Sequence, residues 1–375
     1  MSGDNEETTP RRSIPTREAG GSEPAPDDES VSKAAAEQRA LPEPIEPERG
    51  PLAAGQRPLR IVAVTGARGG AGRTVIASNL ALYLSTIGRK VILVDADPSG
   101  ANLHTVLGMR RPISLPRAGR LGARRDGTAL IEEVTVRTPH PGLRLLYAGL
   151  DEPGPSASRS ERLARLLKKL RGIDAEYVVV DMGVGTGRDI VDAYLEADMA
   201  LFVTLPEPSA LENTYQFFRA AFTRYVRQRA KDAGEHEELQ KHLKALGVAP
   251  APLDLYRELS RQRASTAQVV HDAMETFRPY LIINQTRLRA DLQLGFDVQS
   301  AARRRLGLTI EYLGHIDHDD TVWTCVRNRR PLLLEVPGAK SSKKLEKIAR
   351  RVLALEGPGA RRDSGRGVPI DSHHD

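Results

Sequence analysis

Residues 68–74 read Arg68-Gly69-Gly70-Ala71-Gly72-Arg73-Thr74: three glycines, two guanidinium groups and a hydroxyl within seven positions. Glycines in a loop between a strand and a helix let backbone N–H groups approach phosphate oxygens closely, and the helix N-terminus behind them favours negative charge. The general phosphate-loop pattern is G-x-x-x-x-G-K-[ST]. Gly72 and Thr74 match it, whereas Ala67 stands where the first Gly belongs and Arg73 where the Lys belongs. Thr74 is the candidate Mg2+ ligand through its hydroxyl, and Arg73 the candidate charge against the β- and γ-phosphates. On this pattern alone the match is weak, and a Gly-rich turn without a ligand is the alternative.

Two sets of acids follow. Asp95-Ala96-Asp97-Pro98 closes the apolar run Val91-Ile92-Leu93-Val94. Alternate residues of a strand share a side, so Asp95 and Asp97 can face one crevice beyond its carboxyl end. One of them can serve a metal shell and the other can orient an attacking water. Asp181 ends Val178-Val179-Val180 and precedes Met182-Gly183-Val184-Gly185-Thr186-Gly187. An acid there suits both metal binding and catalysis, next to a Gly-rich switch that senses the terminal phosphate. Taken singly, each Asp is an ordinary strand-end residue; their order along the chain carries the weight.

The elements that must position these groups are legible as apolar runs. Short strands are expected at 61–64, 91–94, 143–147, 177–181, 200–204, 280–284 and 309–313, each nearly continuous in apolar residues, as a sheet covered on both faces requires. Between the first two, Val75, Leu80, Leu82 and Leu84 recur at helical spacing and Gly88 closes the segment. The pattern predicts an α/β fold: a mostly parallel central sheet with helices on both faces. Residues 207–279 are long for one crossover and read as a helical insertion broken at 247–252. A final helix over 343–355 puts Leu345, Ile348, Val352 and Leu353 on one face. The expected organisation is a disordered acidic, Pro-rich tail (1–58) with one helical patch at 32–40, a phosphate-loop domain (59–357) and a disordered tail (358–375).

Of 375 residues only one is cysteine, which excludes a disulfide framework and any site needing several thiolates. The chain has no apolar run of about 18 residues and starts polar, so neither a spanning helix nor a secretory leader is expected. These features predict a cytoplasmic protein. Residues 1–58 hold 7 Lys+Arg against 12 Asp+Glu, and the rest 48 against 37, so the body is basic and suits phosphate-bearing partners.

The ordered series of motifs resembles the MinD/ParA family of P-loop ATPases, and within it the FlhG-type flagellar regulators. That family reads K-G-G-x-G-K-T where this chain has residues 68–74. Its D-x-D strand end is similar to Asp95-Ala96-Asp97, followed here by Gly100-Ala101-Asn102-Leu103, and its D-x-G-A-G-T switch to Asp181-Met182-Gly183-Val184-Gly185-Thr186. Thr204-Leu205-Pro206-Glu207-Pro208 matches the next strand end, and Leu281-Ile282-Ile283-Asn284-Gln285 the strand whose Asn recognises adenine. The resemblance implies binding of ATP with Mg2+ by Gly69, Gly70, Ala71, Gly72, Arg73, Thr74 and Asn284, with Thr74, Asp95 and Asp181 around the metal. It further implies an ATP-dependent homodimer in which Arg68 reaches the partner's phosphates, slow hydrolysis, a protein activator or cargo, and recruitment to a membrane site or pole.

Both family lysines are arginine here. Arg keeps the charge but is longer and planar, so the exchange bears on hydrolysis more than on binding. Three functions compete: a nucleotide-switched ATPase that positions a cellular structure, a scaffold that holds nucleotide without turnover, and a partition ATPase that binds DNA non-specifically. The DNA reading rests on Arg110, Arg111, Arg117, Arg120, Arg124 and Arg125, which lack interleaved aromatics and are not favoured as an interface. Membrane contact through the helix at 343–355 is likewise not favoured: it has basic and apolar faces but lacks Phe and Trp, and the chain continues past it. The terminal pair His373 and His374 lacks further metal ligands.

Overall fold

The computed structural model describes residues 59–66, 68–97, 102–109, 135–148, 159–247 and 249–355. The expectations for residues 1–58, the arginine-rich stretch 110–125, residues 98–101 and the C-terminal tail with its histidine pair lie outside the described residues.

Eight strands form one sheet: β1 (Arg60–Gly66), β2 (Val91–Ala96), β3 (Val136–Arg137), β4 (Leu143–Tyr147), β5 (Tyr177–Val184), β6 (Met199–Thr204), β7 (Tyr280–Thr286) and β8 (Glu311–Asp317). Their spatial order is β3-β4-β2-β5-β1-β6-β7-β8. Every pairing is parallel except β3 with β4. β1 thus sits inside the sheet between β5 and β6, with chain crossing to both sides of it, which opens a crevice beyond its carboxyl end.

Alternation along each strand divides the core in two. Ile61, Ala63, Ile92, Val94, Val178 and Val180 face one side. Val62, Val64, Val91, Leu93, Tyr177 and Val179 face the other. On the second side lie α1 (Arg73–Thr86) and the C-terminal helix. The first side is covered by α3 (Arg159–Leu170) and α4 (Arg188–Glu196), which follow the short α2 (Leu103–Val106). Four further helices join that layer: α5 (Pro208–Asp232), α6 (His236–Leu246), α7 (Pro252–Gln262) and α8 (Ala264–Thr276), with α9 (Asp291–Leu306) beyond β7. Gly247 ends α6 at φ 103 and Pro252 opens α7, so the chemistry of both residues breaks the helical run where it does. Tyr194, Phe202, Phe217 and Phe218 interlock between β6, α4 and α5 at centroid separations of 4.5–6.1 Å.

The short antiparallel β3 has no counterpart in the sequence expectation, and β5 and β8 depart most from their expected bounds. β8 begins at Glu311 and runs to Asp317 rather than occupying 309–313. Leu308 and Ile310 are fully buried, but from the connecting segment, so their apolar alternation imitates a strand whose pairing with β7 starts only at Glu311. β5 extends through Val184, so the first residues of the Gly-rich segment are strand rather than loop.

After β8 come α10 (Asp320–Arg327), α11 (Leu332–Glu335) and α12 (Lys340–Ala354). α12 buries Leu345, Ile348, Ala349 and Val352 in the same cluster as α1 and β8. Its start is fixed by Ser341, whose Oγ donates to Asp319 at 2.8 Å, and by Ser342, whose Oγ donates to the Val336 carbonyl at 2.7 Å. Its apolar face is therefore spent on packing. Among the described residues no helix is long and apolar enough to cross a membrane.

Candidate functional site

The loop from β1 to α1 turns through Gly70 (φ 78) and Gly72 (φ 85), both in the left-handed region that favours glycine. A Cβ on Gly72 would lie 2.2 Å from the Asn284 side chain, so space as well as torsion requires glycine. Gly72 is the N-cap of α1, and no side chain caps that helix. The amides of its first turn are thus left for a ligand at the positive end of the helix.

Opposite this helix start stand the acids. Asp95 and Asp181 occupy paired register positions on β2 and β5. By strand parity both project to the α1 side of the sheet, as do Leu93 and Val179, each two residues earlier on the same strand. Both acids are buried, at 3% and 1% exposure. Asp95 Oδ2 accepts from the Leu103 amide at 2.9 Å, while its Oδ1 and both Asp181 oxygens make no hydrogen bond of full geometry, with the Asp97 amide beside the first acid and the Thr74 hydroxyl beside the second. Burial pushes each carboxyl up to about 7; for Asp181 the Thr74 hydroxyl and the Arg73 charge oppose the rise, and for Asp95 the Leu103 amide opposes it while Asp181 adds to it. Three under-bonded carboxylate oxygens beside a threonine hydroxyl fit a hard divalent cation. Mg2+ in particular takes one or two carboxylates and completes its shell with water and phosphate oxygens.

Arg73 does not lie in the open. Its side chain is 9% exposed; one guanidinium nitrogen donates to the Met182 carbonyl and the other sits 3.3 Å from Asp97 Oδ2. The residue at the lysine position is therefore engaged with the residue expected to orient water. Arg68, by contrast, is about half exposed and pairs with Glu207 of the β6–α5 junction at 2.7 Å. Thr65 Oγ1 donates to the Gly183 carbonyl at 2.8 Å, tying the end of β1 to the Gly-rich segment.

The β7 end completes the site. Asn284 Nδ2 donates to the Ala71 carbonyl at 2.8 Å, and Gln285 Nε2 to the Gly70 carbonyl at 2.9 Å. The structure thus brings together Gly69, Gly70, Ala71, Gly72, Arg73, Thr74, Asp95, Asp97, Asp181 and Asn284, with Arg68 at the rim. Sequence reasoning assigned Met182, Gln285 and Glu207 no role. Only Gln285 carries a backbone signal, φ 59 at a non-glycine residue, and that is invisible in sequence.

Residues 62–332 match the CobQ/CobB/MinD/ParA nucleotide binding domain. The chain belongs to this family. Among its relatives, the chromosome partitioning protein ParA of Caulobacter vibrioides is 33% identical over 230 residues, covering 58% of this chain and 80% of that protein. The antiactivator FleN of Pseudomonas aeruginosa is 29% identical over 164 residues, covering 43% of this chain and 56% of FleN. The septum site-determining protein MinD of Pyrococcus horikoshii, solved with Mg-ADP, superposes with a TM-score of 0.50 at 21% identity, over 80% of this chain and 98% of that one. That likeness extends the family's α/β fold across the described sheet. The resemblance read from the motifs thus holds at the level of family and fold.

Proposed function

We propose that this family member binds Mg-ATP between the 68–74 loop and the β2 and β5 carboxyl ends, dimerises in consequence, and hydrolyses ATP slowly to position a cellular structure, in the manner of FlhG and MinD. The observation that carries this reading is the pair of buried, under-bonded carboxylates facing an uncapped helix start. Thr74, Asp95 and Asp181 would hold Mg2+, which when bound supplies positive charge to phosphate oxygens. The amides of residues 69–74 receive the phosphates. Arg68, half exposed and held by a surface ion pair, is free to exchange Glu207 for a partner's phosphate. Asp97 can orient water only after Arg73 lets it go.

That last contact also favours a second reading, a scaffold that holds nucleotide without turnover. Phosphate release and ATP affinity measured on the purified protein, beside Asp97→Ala, separate the two. Turnover lost in Asp97→Ala supports the switch; tight binding with no turnover in either protein supports the scaffold. Absence of ATP and ADP binding to the full-length protein overturns both. Similarity to a partitioning ParA makes DNA a further arm of the experiment, with ATP-dependent, salt-sensitive retention as its signature.

A further inference from the structure

The end of β7 touches the phosphate loop through two side-chain amides, and this contact bears on what Asn284 does. The resemblance makes Asn284 a reader of adenine. In the structure its amide nitrogen donates to the Ala71 carbonyl at 2.8 Å, its side chain is buried, and it fills the space a Cβ on Gly72 would need. The next residue repeats the contact one carbonyl earlier, Gln285 to Gly70 at 2.9 Å, and holds a left-handed backbone (φ 59). A long side chain in that region is uncommon and persists only where surrounding contacts favour it.

A trans peptide is planar, with its C=O and the following N–H pointing in opposite directions. Holding the Gly70 carbonyl toward β7 therefore turns the Ala71 N–H away from β7, and holding the Ala71 carbonyl does the same to the Gly72 N–H. These are adjacent donors of the loop, in the arrangement of successive N–H groups that makes an anion-binding concavity. We infer that Asn284 and Gln285 are positioning residues that aim the Ala71 and Gly72 amides at phosphate, acting through the loop on any triphosphate whatever contact Asn284 makes with a base. The inference rests on the reading that the loop holds a nucleotide's phosphates.

The test measures binding of ATP, GTP and inorganic tripolyphosphate, each with Mg2+, to the wild-type protein, Asn284→Asp and Gln285→Ala. Asn284→Asp keeps the shape but replaces the donor with an acceptor facing a carbonyl; Gln285→Ala removes a partly exposed side chain. The inference expects tripolyphosphate, which carries no base, to weaken along with both nucleotides, about tenfold or more for Asn284→Asp and about threefold for Gln285→Ala. It also expects amide hydrogen exchange in ligand-free protein to rise at peptides covering 68–76 and not elsewhere in the sheet. A loss confined to ATP, with tripolyphosphate unchanged, overturns it and leaves Asn284 with a base-reading role alone. Unchanged exchange and unchanged binding in both variants overturn it as well. A wild-type protein that binds none of the three ligands sinks the nucleotide reading itself, an outcome distinct from uneven losses in a protein that binds.

Discussion

Asp95 and Asp181 stand opposite each other in register on the neighbouring parallel strands β2 and β5, both buried, with three of their four carboxylate oxygens making no hydrogen bond of full geometry. Two acids so placed destabilise the ligand-free protein when ionised, and the protein gains from anything that compensates them. Their folded values, about 7, lie above the ordinary carboxylate value of 3.8. A raised acid contributes its stability in the protonated form, so that stability is present below about pH 4 and is lost as pH rises to about 7. Removing one charge should therefore help the ligand-free fold most at alkaline pH. Asp181→Asn is expected to stabilise it by on the order of 2 kcal/mol at pH 8 and much less at pH 5, while abolishing Mg2+-dependent nucleotide binding. Thermal melts across pH, with and without Mg-ATP, check this; a variant less stable than wild type at pH 8 would count against it.

In wild-type protein the same linkage makes cation binding alkaline-favoured. Mg2+ needs both carboxylates ionised, so the added thermal stability from Mg-ATP should grow between pH 6 and pH 8. A flat profile of melting shift against pH would contradict the assignment of these two acids to the metal.

Arg73 holds Asp97 and the Met182 carbonyl together. Lysine has one ammonium and cannot reproduce that fork. Arg73→Lys is expected to raise ATP turnover about tenfold or more, with affinity changed less than about threefold, a barrier lower by roughly 1.4 kcal/mol. Single-turnover phosphate release measures it. Equal turnover in the two proteins would mean that the Arg73–Asp97 pair does not restrain the reaction.

The Arg68–Glu207 pair is about half exposed, so its loss should cost under ~0.5 kcal/mol of monomer stability. Arg68→Ala is nevertheless expected to abolish the ATP-dependent dimer. Sedimentation with ATP and with ADP tests this, and a variant that still dimerises with ATP removes Arg68 from the partner's phosphates.

α12 is a packed helix here, so its apolar face is unavailable to lipid without unfolding. Leu345→Ala should destabilise the fold by roughly 3 kcal/mol, the cost of emptying a fully buried leucine site. The intact protein should fail to float with anionic vesicles through this helix; flotation lost on substituting the buried Leu345 in a protein that remains folded would reverse that view.

The sequence by itself determined the parallel strands of the sheet and named the candidate members of the site. Continuous apolar runs located the strands because a sheet covered on both faces has no polar side to alternate with, and glycines and acids at their ends marked the crevice. Asp95, Asp97 and Asp181 could be named because strand ends and parity are local properties. Sequence fails where the deciding contact is distant in the chain. It misplaces the bounds of β8 because Leu308 and Ile310 are buried from a connecting segment, and burial from a loop leaves the same apolar signature as burial from a strand. Whether Arg73 lies open to phosphate or is turned toward Asp97 and Met182 depends on how β2 and β5 are brought beside α1. The two amides of β7 that hold the loop carbonyls lie more than 200 residues from them. Composition and spacing give the groups present; only the tertiary structure decides which of them are already spent on one another.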